Sequence, residues 1–197
     1  MREEMDALEK NKTWRITELP KGKKSVGCKW VFSVKYKADG RLERYKARLV
    51  AKGYTQTYGV DYQETFAPVA KMSTVKVLLS LAVNLNRDLQ QYDVKNAFLH
   101  GDLEEEIYME IPPGFEERLG TNKVCKLQKA LYGLKQSPRA WFGRFAKVML
   151  AAGYKQSQAD HTLFIKHSKT GGVTALLVYV DDIIVTGDDA SEQEMLR

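Results

Sequence analysis

The chain has 197 residues and carries 31 Lys and Arg against 25 Asp and Glu, a net charge of +6. Apolar residues make up 44% and charged residues 28%, which is globular usage and excludes a disordered tail. Two cysteines, Cys28 and Cys125, exclude a disulfide scaffold and point to a reducing compartment, while His100, His161 and His167 have no zinc-ligand spacing. No apolar run is long enough for a transmembrane helix, and the opening Met1-Arg2-Glu3-Glu4 is not a signal peptide.

In chain order, residues 2–10 read as a polar helix. Residues 28–37 and 44–51 read as two strands, and Ala38-Asp39-Gly40 between them is a hairpin signal. This hairpin lies in the most basic part of the chain. Lys21 to Lys52 holds 11 Lys and Arg against Asp39 and Glu43, net +9 over 32 residues. Trp30, Phe32, Tyr36 and Tyr45 are interleaved with the cations. Cations neutralise phosphates and rings stack on bases, so the composition suits a polyanion. The alternative is a solvated strand face over core aromatics.

Residues 61–71 read as a loop around Pro68. Residues 71–86 read as a helix with Val75, Leu78, Leu79 and Ala82 on one face behind a Ser73/Thr74 cap. Residues 89–94 are a short strand and Ile111-Pro112-Pro113-Gly114 is a loop. Ser137-Pro138 opens a helix that Gly153 closes. Residues 162–166, 173–180 and 183–186 are strands. A last helix begins near Ser191, with Glu194 three residues on as a capping-box partner. A domain rarely stops one turn into a helix, so a fragment of a longer polypeptide is expected.

The sharpest feature is Leu176-Leu177-Val178-Tyr179-Val180-Asp181-Asp182-Ile183-Ile184-Val185. Two aspartates sit between two apolar strands, at the tip of an expected buried hairpin. Adjacent buried carboxylates are costly without a cation, and a divalent metal relieves that cost. An ordinary turn is the alternative reading, since Asp is common there. Asp93 stands at the exit of the 89–94 strand. If that strand pairs with 176–180, Asp93 meets Asp181, and three carboxylates at adjacent strand ends suit two metal ions for in-line phosphoryl displacement.

Seven ordered stretches now carry a resemblance over nearly the whole chain. They are Val26-Gly-Cys-Lys-Trp-Val-Phe32, Arg44-Tyr-Lys-Ala-Arg-Leu-Val-Ala-Lys-Gly53, Tyr62-Gln-Glu-Thr-Phe-Ala-Pro-Val69, Gln91-Tyr-Asp-Val-Lys-Asn-Ala-Phe-Leu-His-Gly101, Leu131-Tyr-Gly-Leu-Lys-Gln-Ser-Pro-Arg-Ala-Trp-Phe142, Gln158-Ala-Asp-His-Thr-Leu-Phe164 and Tyr179-Val-Asp-Asp182. The chain resembles the reverse transcriptase of copia-type LTR retrotransposons in the plant style.

The resemblance implies an α+β right-hand polymerase with fingers and a partial palm, an antiparallel sheet with packed helices, and no thumb. Fingers would comprise residues 1–88 and 104–138, and palm residues 89–103 and 139–197. It implies RNA-directed DNA synthesis by nucleotidyl transfer from a dNTP to a primer 3′-hydroxyl. Asp93, Asp181 and Asp182 would be catalytic and hold two Mg²⁺ ions, for which Mn²⁺ could substitute. Asp93 and Asp181 would bind both ions and Asp182 more weakly. Lys46 and Arg48 match the cations that meet the triphosphate, with Lys35 a weaker match. Phe98 matches the aromatic residue under the nucleotide sugar. Tyr132, Gly133 and Gln136 match a loop near nucleotide and template.

Implied partners are an RNA or DNA template with primer, a dNTP, and the rest of a Pol polyprotein with integrase, thumb and ribonuclease H, but no membrane. The implied setting is a cytoplasmic particle with nuclear entry of the product. Residues 1–197 alone are expected to extend primers poorly. A catalytically inactive nucleic-acid-binding remnant is the competing expectation, and a two-metal nuclease is a third that leaves Phe98 and the finger cations without a use.

Overall fold

The computed structural model describes residues 1–65, 69–120 and 122–196. Pro68 and the terminal Arg197 lie outside the described residues, and the described parts of the loop expected around Pro68, 61–65 and 69–71, hold no helix or strand beyond an isolated Tyr58–Tyr62 bridge. In chain order the elements are α1 (Arg2–Lys10), β1 (Trp14–Thr17), β2 (Ser25–Val26), β3 (Cys28–Tyr36), β4 (Leu42–Ala51), α2 (Met72–Asn84) and β5 (Leu89–Asp93). They continue with β6 (Tyr108–Glu110), α3 (Glu116–Leu119), β7 (Val124–Leu127), α4 (Ser137–Ala151), β8 (Lys155–Gln156), β9 (Leu163–His167), β10 (Val173–Tyr179), β11 (Asp182–Gly187) and α5 (Ala190–Met195). The architecture is mixed α+β, with five α-helices and three sheets among the described residues. No helix among them is long and apolar enough to cross a membrane.

The chain divides into two compact units, Met1–Phe66 with Phe98–Trp141, and Ala67–Ala97 with Phe142–Arg197. In the first, a four-stranded sheet of order β1-β7-β6-β2 accompanies a separate two-stranded ribbon, β3-β4. Met5 and Leu8, one turn apart on α1, are fully buried with Leu49, Ile107, Met109, Cys125 and Leu131. The ribbon turns at Ala38-Asp39-Gly40 as the Asp-Gly signal predicts. Gly40 has φ +80° and its N–H donates to the Lys37 carbonyl at 2.9 Å, while Lys37 N–H donates to the Arg41 carbonyl at 2.9 Å. This is a three-residue loop closed by a left-handed glycine. Strands β6 and β7 are not evident in the sequence. They have three and four residues and gain definition only from their neighbours in the sheet, β7 from β1 and β6, and β6 from β7 and β2.

In the second unit a five-stranded antiparallel sheet runs β5-β11-β10-β9-β8. Strand β10 is central, and Leu176, Leu177 and Val178 are buried in succession, as expected of a strand covered on both faces. Leu78 of α2 packs with Leu177, Ala175 and Ile184, but Leu79 is 39% exposed and lies off the buried stripe.

The expected caps are corrected in two places. Helix α2 begins after Lys71, with no cap bond from that side chain. Instead the buried Asp160 carboxylate accepts the Lys71 N–H at 3.0 Å and the Thr74 hydroxyl. Helix α5 is capped by Asp189, which accepts from Glu192 N at 3.0 Å, rather than by Ser191.

Candidate active site

The acidic centre belongs to the second unit. Strands β10 and β11 pair from Thr174↔Gly187 to Tyr179↔Asp182, so only Val180 and Asp181 form the loop. Val180 takes φ +58°, an unusual conformation for a β-branched residue, and Asp181 does not. A positive φ at the first loop position alone is the pattern of a II′ hairpin, which suits the twist of the flanking strands. The Asp181 carbonyl accepts Val94 N–H at 2.8 Å, which extends the β5 ladder onto the loop.

The expected pairing is corrected here. Strand β5 pairs with β11, not with β10, and the residue opposite Asp93 is Asp182. Asp181 is one position further, in the loop. Both edges of β10 are taken, one by β9 and one by β11, so β5 joins at the outer edge of β11. The expected deep burial is also corrected: Asp93 is exposed and Asp181 and Asp182 are half-buried. Gln91, two residues before Asp93 and so on the same face, donates from Nε2 to Asp182 Oδ1 at 3.1 Å. Among the described residues no three acidic, histidine or cysteine side chains converge on one point as a closed metal cage. The donor set is nonetheless hard oxygen. An open pair, Asp93 with Asp182 and Asp181 beside them, fits an ion such as Mg²⁺, which keeps several waters and takes one or two carboxylates plus substrate phosphates.

The basic centre belongs to the first unit. Arg44, Lys46 and Arg48 alternate along β4 and therefore share one face of the ribbon with Lys35, the partner of Arg44. Burial pushes the Lys46 ammonium below the usual lysine range, and the neighbouring Arg48, Lys35 and Arg44 push it the same way. Glu4 of α1 opposes them, a residue the sequence reading did not single out. Burial raises its carboxyl, while the Leu49 N–H and the charges of Arg48 and Lys46 act to lower it. Its signal in the sequence is slight: an acid beside the buried Met5 position.

The opposite face of the ribbon is aromatic. Phe32, Tyr36 and Tyr45 are 66%, 64% and 76% exposed. Trp30 is spent at the base, where its indole donates to the Pro113 carbonyl at 3.0 Å and its ring meets Phe115.

Tyr132, Gly133 and Gln136 lie on one tightly held loop of the same unit. Ser137 Oγ donates to the Leu131 carbonyl at 2.6 Å and accepts Leu131 N–H at 3.1 Å. Ala51 N–H donates to the Tyr132 carbonyl at 2.8 Å. Gly133 has φ +92°, and a Cβ there would sit 2.1 Å from the Ala51 carbonyl oxygen. A Cβ on Gly53 would sit 2.0 Å from the Gly133 oxygen. The two glycines thus permit backbone-to-backbone contact that no other residue allows.

The Arg48 guanidinium lies 4.7 Å from the Tyr132 ring centroid. That ring meets Phe98 edge-on at 4.7 Å, and Phe98 itself is 9% exposed. Gln136 behaves differently from its expected role. It is fully buried, its Oε1 accepts from Gln56 Nε2 at 3.1 Å, and its Nε2 donates to the Asp61 carbonyl at 3.1 Å. Both ends of the amide hold the loop, and the side chain is withdrawn from the surface by its burial. The Cys28 and Cys125 thiols are pushed up to about 12, chiefly by burial, so neither is a nucleophile at neutral pH.

Residues 11–197 match the model of a family described as reverse transcriptase (RNA-dependent DNA polymerase). The chain is 50% identical over 189 residues, 96% of its length, to the retrovirus-related Pol polyprotein from transposon TNT 1-94 of Nicotiana tabacum. It is 47% identical over 190 residues, again 96% of its length, to that from transposon RE1 of Arabidopsis thaliana. It is 29% identical over 203 aligned residues, 98% of its length, to the transposon Ty1-ER2 Gag-Pol polyprotein of Saccharomyces cerevisiae. It spans 14%, 13% and 11% of those three relatives. The chain therefore belongs to the reverse transcriptase family, as the reverse transcriptase region of a copia-type retrotransposon Pol polyprotein.

Proposed function

We propose that this region performs RNA-directed DNA synthesis, adding a deoxynucleotide to a primer 3′-hydroxyl with release of pyrophosphate. The observation that carries the reading is the register that sets Asp93 against Asp182 at the end of a sheet whose adjoining loop presents Asp181. Asp93, Asp181 and Asp182 would hold the divalent metal, Mg²⁺ or Mn²⁺. When bound, the metal supplies the positive charge that makes the 3′-hydroxyl a nucleophile and steadies the pyrophosphate. Gln91 orients the Asp182 carboxylate by its hydrogen bond. Lys46 and Arg48 bind the triphosphate, where fixed cations stabilise charge that grows on the leaving group. Phe98 lies under the sugar and rejects a 2′-hydroxyl, the group that separates ribonucleotides from deoxynucleotides.

In the same reading the unit that holds the acids is palm and the unit that holds the ribbon is fingers, which moves α2 from the expected fingers to the palm and Phe98 from the expected palm to the fingers. Support for that assignment comes from the charge of each: acids at a sheet end in one, cations on a ribbon in the other. The exposed Phe32, Tyr36 and Tyr45 give unpaired template bases a stacking surface. The remaining partners are the primer and the rest of the Pol polyprotein, and the setting is the particle in which such elements copy their RNA.

The test is primer extension by the Pol protein that carries this region, with Asp181→Asn as the variant and template binding measured beside it. Synthesis falls to background while binding in matched salt is retained. Synthesis that survives Asp181→Asn would refute the catalytic assignment. Binding with a steep salt dependence and no synthesis in the parent protein would favour a binding-only remnant.

A further inference from the structure

We propose that Tyr132 is a positioning residue for Arg48: its ring stacks on the guanidinium and holds it ready for the triphosphate. The inference rests on the reading of Arg48 as a triphosphate contact. Three observations lead to it. The guanidinium carbon lies 4.7 Å from the Tyr132 ring centroid, well within cation–π range. The ring is itself buttressed by Phe98, edge-on at 4.7 Å and 63°. The Arg48 Nε is buried and has no hydrogen-bond partner among the described residues, so no hydrogen bond from that atom orients the guanidinium and the ring contact is left to do so.

The backbone explains why the stack is stable. Arg48 and Ala51 are on the same strand, and Ala51 N–H donates to the Tyr132 carbonyl. Gly133 and Gly53 then let the two backbone segments touch. Ring and guanidinium are therefore carried by one interlocked piece of backbone. An arginine side chain has about 2 kcal/mol of rotamer entropy to lose. The stack removes much of that freedom before the ligand arrives, so less is lost on binding. An aliphatic residue at 132 would fill the space but offer no negative π face.

The experiment titrates the 197-residue chain with inorganic tripolyphosphate and with Mg²⁺·dATP by calorimetry. Arg48→Ala weakens both ligands about 10-fold. Tyr132→Leu weakens both about 5-fold, and Tyr132→Phe restores binding to within about 2-fold of the parent. The double variant Arg48→Ala/Tyr132→Leu binds no more weakly than Arg48→Ala, because the ring acts only through the guanidinium. In proton NMR the Arg48 Hε resonance is shifted upfield by the ring in the parent and in Tyr132→Phe, and loses that shift in Tyr132→Leu.

Parent-like binding by Tyr132→Leu beside weakened Arg48→Ala overturns the positioning role alone, as do additive losses in the double variant. Unchanged binding by Arg48→Ala, or no tripolyphosphate binding by the parent, overturns the triphosphate reading and this inference with it. If Tyr132→Leu does not fold, the Arg48 Hε shift of the parent decides, and an unshifted resonance is fatal to the stack.

Discussion

Asp93 faces Asp182 across the β5–β11 ladder, and Asp181 lies one step beyond, in the loop. Like charges directly opposite one another weaken a ladder. Asp93→Asn should therefore stabilise the chain by up to about 1 kcal/mol while reducing primer extension to background. Mg²⁺ should raise the melting temperature of the parent and raise that of the variant less. Thermal melts with and without Mg²⁺ check both statements. A variant that melts below the parent would remove the repulsion argument.

Asp160 gives the fold a dependence on acid. Burial pushes its carboxyl up, but hydrogen bonds from Thr162, Thr74 and the Lys71 and Thr162 N–H groups outweigh burial and hold it at about 2, below the ordinary 3.8. A lowered folded value means the stability is complete above the unfolded value and is lost as pH falls through the folded one. Melting temperature should fall between pH 4 and about pH 2, and Asp160→Asn should flatten that slope. At neutral pH the same variant loses the charged cap of α2 and costs about 1 kcal/mol. A slope unchanged by the substitution would mean other carboxylates set the acid limit.

The glycine pair is expected to be intolerant. Gly133→Ala adds a Cβ at 2.1 Å from a carbonyl oxygen on a residue with φ +92°. Gly53→Ala adds one at 2.0 Å. Each should cost about 2 kcal/mol or more, read from the urea midpoint. Gly143→Ala, which meets nothing within 4 Å, serves as the control.

Phe32→Ala and Tyr45→Ala should leave stability nearly unchanged, because both rings are largely exposed. Each should weaken single-stranded RNA binding by about 1–3 kcal/mol if it stacks on a base. Fluorescence anisotropy at one fixed salt concentration measures this, and equal affinities would assign template contact elsewhere.

Phe98→Ala is expected to raise ribonucleotide incorporation relative to deoxynucleotide. Competing rNTP and dNTP in primer extension reads the ratio directly. An unchanged ratio would leave the ring as support for Tyr132 alone.

Local signals in the sequence were read where one segment carries them whole. The Asp39-Gly40 turn contains its own hydrogen bonds, and the run from Leu176 to Val185 announces two strands and a short loop. What a single segment does not carry was not legible. Both arms of that hairpin are apolar, so nothing local says which one receives β5, and the choice decides whether Asp93 meets Asp181 or Asp182. Asp160 caps a helix 89 residues away from it in sequence, and the nearer Ser73 and Thr74 hide that partner. Tyr132 and Arg48 are 84 positions apart, and their contact exists only because two glycines let distant backbone meet. Gln136 shares a motif with Tyr132 and Gly133, but a motif does not distinguish a side chain that touches ligand from one that holds the loop in shape.

Among the described residues the β3–β4 ribbon pairs with no other strand. A two-stranded ribbon is marginal by itself, and its buried anchors, Cys28, Leu49 and Ala51, are all at one end. The free energy of local opening must therefore climb along its length. Amide hydrogens near Lys37 and Arg41 should exchange with solvent almost at once, and those near Leu49 only with opening of the whole unit. Lys46 and Arg48 sit toward the slow end of that gradient. The tip can bend to follow a nucleic acid while the residues that would grip a nucleotide stay where they are.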